Sequence, residues 1–199
     1  MAYQSLHQRL RGPIAEALKK DLGITNIHAL PKVEKVIVNV GINRSKMEGK
    51  DVQETINDAL LKITGQKPIF RPSRKAISNF KIRKGLIVGA MVTLRGKQME
   101  AFLDRLVSYV LPRIRDFRGI PAKFDGQGNY ALGLRDHSVF PEIPAADVTK
   151  TFGMQIQVTT TAKNDEEAKA LLKQIGFPFR ADPVRQAQDR RKSSDSSSS

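Results

Sequence analysis

Val33-Glu34-Lys35-Val36-Ile37-Val38-Asn39-Val40 is the stretch from which the architecture can be read. Its density of β-branched residues favours a strand. Alternation sends Val36, Val38 and Val40 to one face and Ile37 and Asn39 to the other. Gly41 ends the run. Further along, Leu86 to Leu94 is β-rich and apolar enough for a central strand. Met154 to Thr161 alternates Met, Ile and Val with Gln and Thr, the pattern of a half-buried strand. Between these lie helical periods. Asp51 to Ile63 carries Val52, Ile56, Ala59, Leu60 and Ile63. Lys97 to Val110 carries Met99, Phe102, Leu103, Leu106, Val107 and Val110, with Pro112 as the expected stop.

The ends of the chain follow the same logic. Leu6, Leu10, Ile14, Leu18 and Leu22 recur every four residues, an apolar helical stripe. Gly12-Pro13 divides it, with Pro13 suited to open the second piece and Gly23 to terminate it. Asn164 is the expected cap of a last helix whose first turn, Asp165-Glu166-Glu167, suits the helix dipole. Residues 118 to 144 are rich in Gly and Pro and predict loops with at most one short hairpin. Helices that alternate irregularly with strands predict an α+β domain, with helices packed on one face of a mainly antiparallel sheet. We place that domain at residues 1–180. Beyond it the apolar pattern stops, and charged residues lead into a Ser run. Residues 181–199 are therefore expected to be a disordered polar tail; Arg190-Arg191-Lys192 could add weak phosphate attraction, but a solvated tail is the simpler reading.

Charge narrows the function. The 199 residues hold 34 Lys and Arg against 20 Asp and Glu, a net +14. An excess of that size favours a polyanionic partner through counterion release. The absence of Cys rules out disulfides and thiolate metal sites. No apolar run has the length of a membrane span, and the first residues have no signal core, so the sequence reads as a soluble cytoplasmic protein. The three histidines, His7, His28 and His137, stand far apart, and His137 reads as a surface residue of a polar loop. Gly126-Gln127-Gly128 lacks the third glycine and the preceding strand of a dinucleotide loop. The sequence therefore points to no enzyme, no cofactor and no metal.

The strongest feature is Lys67-Pro68-Ile69-Phe70-Arg71-Pro72-Ser73-Arg74-Lys75-Ala76-Ile77-Ser78-Asn79-Phe80-Lys81-Ile82-Arg83-Lys84-Gly85. Seven of its residues are basic and none is acidic. Such packing of like charge costs stability unless a polyanion compensates it. For the cations we favour RNA. Phe70 and Phe80 suit stacking on bases, but read more simply as core anchors beneath a basic loop. The loop runs from about Arg71 to Gly85, between a helix and a strand, and can extend from the sheet without disturbing it.

These residues also carry a resemblance. Leu60-Leu61-Lys62-Ile63-Thr64-Gly65-Gln66-Lys67-Pro68, followed by Ser73-Arg74-Lys75-Ala76, resembles the signature of the family of the fifth protein of the large ribosomal subunit, in its bacterial form. Val33 to Gly41, Val92 to Gly96, Pro112 to Gly119, Phe124 to Tyr130, Phe140 to Ile143 and Thr159 to Ala162 are similar to further family segments, in family order, up to about Phe179. The resemblance implies a sheet-and-helix fold similar to an RNA-recognition motif. It implies binding of 5S rRNA in the central protuberance, beside 23S rRNA and neighbouring large-subunit proteins. It further implies contact with the P-site tRNA and a bridge to a protein of the small-subunit head.

Residue by residue, the resemblance assigns Asn39, Gln66, Lys67, Thr93 and Arg95 to 5S rRNA. It assigns Arg71, Arg74, Lys75, Lys81, Arg83 and Lys84 to the tRNA loop, although all of these but Arg71 could instead bind 5S phosphates alongside Asn39 and Gln66. Arg113, Arg115 and Arg118 fall on the side implied for the bridge, although they could equally touch 5S rRNA. An RNA-binding or RNA-chaperone module outside the ribosome is the rival reading, which composition alone does not separate from the first.

Overall fold

The structure, a computed structural model, describes residues 6–24, 26–42, 51–80, 82–144 and 151–180. The expected tail, 181–199, and Lys81 lie outside the described residues. Five strands form one antiparallel sheet: β1 (Val33–Gly41), β2 (Ile69–Pro72), β3 (Ile87–Leu94), β4 (Tyr130–Leu134) and β5 (Met154–Thr160). They lie in the order β2-β3-β1-β5-β4. The helices are α1 (Leu6–Arg11), α2 (Pro13–Leu22), α3 (Asp51–Thr64), α4 (Gly96–Arg105), α5 (Leu111–Arg113) and α6 (Asp165–Ile175). With α5 and the edge strand β4 set aside as an insertion before β5, the succession β1-α3-β2-β3-α4-β5 is that of a split β-α-β unit. It is compatible with the expected likeness to an RNA-recognition motif.

Alternation fixes which side of the sheet the helices cover. Val36, Val38 and Val40 of β1, Ala90, Val92 and Leu94 of β3, and Met154, Ile156 and Val158 of β5 are all buried. They join Ile56, Leu60, Phe102, Leu103, Leu171 and Leu172 from the helices in one apolar cluster. Burying each aliphatic side chain of this size contributes about 1.5–3 kcal/mol. Pro13 opens α2, and Gly23, at φ 66°, ends it. In the last helix Asn164 does occupy the cap position, but its side chain makes no capping hydrogen bond. The first-turn carboxylates instead bind the chain around the helix start: Glu167 accepts from the Lys163 N–H at 3.0 Å, and Asp165 from the Gly128 N–H at 3.0 Å.

Pro112 does not stop the helix after α4. The chain widens into a π turn, Leu106–Val110, in which the Leu111 N–H bonds to the Leu106 carbonyl. It then continues through α5 to Arg113. Pro112 has no N–H to give to the turn before it, and its ring crowds the carbonyl four residues back. The wider turn accommodates both problems. Leu106, Val110 and Leu111 stay buried, while Tyr109 is turned out to solvent.

One strand was not expected from the sequence: β2, at the start of the basic segment. β4 emerges from the Gly-rich stretch, where a short hairpin was the most that the sequence suggested. Between Phe124 and Tyr130, which form an antiparallel bridge, a tight turn is held by Asp125. Its carboxylate accepts from the Gln127 and Asn129 N–H groups, each at 2.9 Å. Gly128, at φ 78°, lies so close to Ala162 that an added Cβ would sit 2.9 Å from the Ala162 carbonyl oxygen. Gly126 has a similar φ, 84°, but nothing within 4 Å. Gly126→Ala should therefore cost only the backbone strain, about 1 kcal/mol. Gly128→Ala should cost distinctly more, about 2–3 kcal/mol, measured by urea unfolding of the two variants side by side.

Candidate nucleic-acid interface

The face of the sheet opposite the helices is left uncovered by the described residues. The register lines up two rows across it. One runs Ile69, Met91, Asn39, Gln155, Gly133. The next runs Thr93, Ile37, Gln157, Ala131. Every side chain in these rows is uncharged, and none is aromatic. Cations stand at the margins: Arg71, paired with Gly89, beyond the first row, and Lys35, paired with Thr159, beyond the second. At the β4 border the face ends in a groove of about 300 Å³, lined by Lys123, Asn129, Ala131, Gln157 and Thr159 among others.

Asn39 and Thr93 therefore occupy adjoining rows of one open surface, as sequence alone could not establish. Gln66 and Lys67 are exposed and lead into β2, whose first residue pairs with Met91. The chain turns there because Gly65 takes φ 71°. The Thr64 hydroxyl donates to the Leu60 carbonyl at 2.7 Å, closing the end of α3. Arg95 is exposed just past β3, with its guanidinium 3.5 Å from the Glu34 carboxylate. An ion pair that open contributes little stability.

The basic segment is more ordered than a loop. Arg71 belongs to β2 and leans its Nε to within 2.9 Å of the Met91 sulfur, so it borders the sheet face and is separate from the loop with which sequence grouped it. Beyond Pro72, backbone bonds continue the hairpin. The Ser73 N–H donates to the Leu86 carbonyl at 2.7 Å, and the Gly85 N–H to the Ser73 carbonyl at 2.9 Å. Ile77 and Ile82 exchange two further bonds, at 2.9 and 3.1 Å. A short 3-10 turn, Ser78–Phe80, closes the tip. Arg74, Lys75, Arg83 and Lys84 are exposed along this ribbon. Phe70 packs partly against the core. Phe80 does not: it is 72% exposed, which overturns its reading as a core anchor.

Arg113, Arg115 and Arg118 are all exposed, at and just beyond the end of α5. Asp116 between them adopts φ 52°, an uncommon conformation for a residue with a side chain. Arg105, which sequence did not single out, is structural. It reaches the Glu142 carboxylate and, at 3.2 Å, the Ile63 carbonyl, tying α4 to the end of α3.

His137 is likewise structural, and it is not the surface residue that sequence suggested. It is buried, stacked on Phe152 with ring centres 3.9 Å apart, and its Nδ1 accepts from the Phe152 N–H at 3.4 Å. The short 3-10 turn in which it lies folds its ring inward. Burial holds the imidazole below its ordinary value of 6.5, an effect partly offset by Asp136. Among the described residues no group of three His, Asp or Glu could hold a metal ion. No described helix is long and apolar enough to cross a membrane.

Comparison with known proteins bears directly on a chain of this kind, a basic α+β protein with one bare sheet face. Residues 26–83 match the family described as "Ribosomal protein L5", and residues 87–179 match the C-terminal portion of the same ribosomal family. The protein "Large ribosomal subunit protein uL5" of Leifsonia xyli subsp. xyli is 52% identical over 177 residues, which is 88% of this chain and 90% of that one. Its namesake in Synechococcus sp. (strain CC9605) is 49% identical over 178 residues, 89% of this chain and 99% of that one. That in Anaeromyxobacter sp. (strain Fw109-5) is 50% identical over 176 residues, 88% and 97% of the two chains. The chain belongs to the ribosomal protein L5 family, a family of the large ribosomal subunit.

The buried imidazole gives a pH signature. Because its folded pKa lies below the unfolded one, the unfolded chain binds the extra proton first. Stability is then complete above about pH 6.5 and falls as pH drops below it. One such site limits the slope to about 1.4 kcal/mol per pH unit. Thermal melts between about pH 7.5 and 5.5 should show the decline in the wild type, and a flatter profile in His137→Gln whatever that variant's absolute stability.

Proposed function

We propose that this protein is a structural constituent of the large ribosomal subunit that binds 5S rRNA on its open sheet face and helps attach it in the central protuberance. The observation that carries this reading is the arrangement of that face, with a neutral centre and cationic margins. A-form RNA presents a wide, shallow minor groove of 2′-hydroxyls and base edges, which amides and hydroxyls such as Gln155, Gln157, Asn39 and Thr93 can meet. Phosphates on either side would find Arg71 and Lys35, and phosphate contacts of this kind set register. Without aromatic side chains in the two rows, the face favours a folded RNA surface over splayed single-stranded bases.

The remaining features support further roles of the same assembly. The ribbon's exposed cations suit the backbone of P-site tRNA. Arg113, Arg115 and Arg118 suit contact with the small-subunit head. 23S rRNA and neighbouring proteins of the central protuberance complete the surroundings, and the role is structural rather than catalytic.

Two experiments separate these assignments. Asn39→Ala or Thr93→Ala should weaken 5S rRNA binding by about 1–3 kcal/mol. Deleting Ser73 to Lys81 and closing with Gly should leave 5S affinity within about tenfold, or 1.4 kcal/mol, while reducing tRNA retention in the P site of assembled ribosomes. Filter binding with the folded variants checks both. If the alanine variants bind as the wild type does, or the deletion abolishes 5S binding, the division between sheet and ribbon is wrong. For the third surface, reversing the charge of Arg115 and Arg118 should impair association of the subunits more than 5S binding. The opposite ranking, read by sedimentation and filter binding, would move these residues to the RNA-binding side.

A further inference from the structure

Phe80 is the most exposed of the large hydrophobic residues among those described, at 72%, and Ile77 beside it is 44% exposed. Neither is explained by charge attraction. Other aromatic side chains of the fold have partners: Phe124, Tyr130, Phe177 and Phe179 form a connected group of ring contacts. Phe80 enters no such contact among the described residues. It is also held in place. The two Ile77–Ile82 backbone bonds, and a third from the Phe80 N–H to the Ile77 carbonyl at 3.3 Å, brace the tip. The ribbon thus keeps an aromatic ring in water at its far end, without covering it.

What surrounds the ring narrows what covers it. Arg74 and Lys75 lie on one leg of the ribbon, and Arg83 and Lys84 on the other, with no acidic residue between Lys67 and Leu86. An apolar pocket on a protein would have to accept these four cations around its rim. RNA offers a flat apolar base face and flanking phosphates together, which matches the ring and the cations at once. We propose that Phe80 stacks on an exposed nucleobase of the tRNA that the ribbon meets, with Ile77 packed against the adjoining sugar. The contact makes the ribbon a reader of an accessible base face as well as a clamp on the backbone. It rests on the reading of the ribbon as the tRNA-contacting element.

Substitutions at an exposed position leave the core intact, so the test is a series at one site. Ribosomes carrying full-length Phe80→Leu, Phe80→Ala, Phe80→Trp or the ribbon deletion are compared for P-site tRNA retention. Stacking predicts a loss of roughly tenfold for Leu and wild-type retention for Trp. The chain contains no Trp, so the isolated Phe80→Trp protein has a single reporter, which base stacking should quench when tRNA is added at low salt. Equal retention by Leu and Phe, with no quenching, would overturn the stacking assignment while leaving a ribbon that holds tRNA by charge. Retention by Leu together with loss in Phe80→Ala would assign the ring to an apolar protein pocket, and the proposal would fail. If the ribbon deletion itself retains tRNA fully, the underlying assignment of the ribbon falls, and the stacking contact with it.

Discussion

Strand β1 is paired along both edges, to β3 on one side and β5 on the other, and nearly everything else in the molecule follows from that double pairing. A slip of one residue in either register would turn Val36, Val38 and Val40 outward and carry Asn39 and Ile37 into the apolar cluster. The apolar side fixes the register because burying an amide without partners is costly. The polar side inherits its geometry without contributing to it. Asn39, Met91 and Gln155 stand abreast because the valines on the other side demand it. The proposed RNA-facing surface is thus pre-organised by residues that never reach it, which keeps the entropy of ordering out of the binding step.

Charge works against this economy. A net +14 repels itself in the folded state, and the ribbon concentrates part of that repulsion in one projection. Paired backbone groups hold the ribbon together where side chains push apart. Each cation that meets a phosphate would release a condensed counterion, so attachment through this region should weaken steeply with salt. Contacts made by neutral groups on the sheet depend on salt far less. One small protein therefore presents two chemically different surfaces, one suited to fitting a shape and the other to gripping a backbone.

Much of the fold was legible because its inner strands and main helices bury one side and expose the other. Val33 to Val40 and Met154 to Thr160 state their pleat directly. The edge strands were harder. Ile69-Phe70-Arg71-Pro72 pairs on one side only, so it tolerates a proline and a cation that argue against a strand elsewhere. Tyr130-Ala131-Leu132-Gly133-Leu134 does alternate, but its outward residues are small and its flanks are rich in Gly. Pro112 misled because a wider turn absorbed it, and His137 because a short turn drew its ring inward. Of the candidate site, Asn39 and Thr93 could be read as strand residues, but their placement in adjoining rows depends on long-range pairing that no local pattern encodes. Phe80 was read as a core anchor and is not one, since nothing in sequence says whether an aromatic at the tip of a hairpin folds back or stands free.

The same central strand has a consequence for how the protein is made. β1 is complete by Gly41, whereas β5 begins at Met154, roughly 110 residues later. At synthesis rates of about 5–20 residues per second, one edge of β1 waits on the order of ten seconds for its partner. β3 arrives sooner and seals the other edge, leaving a half-finished sheet with an apolar side and a bare row of amides and carbonyls. Such a surface invites pairing with any extended segment in reach, including another nascent copy. The period of greatest hazard for this protein is therefore its own translation, before the last strand emerges to complete the sheet.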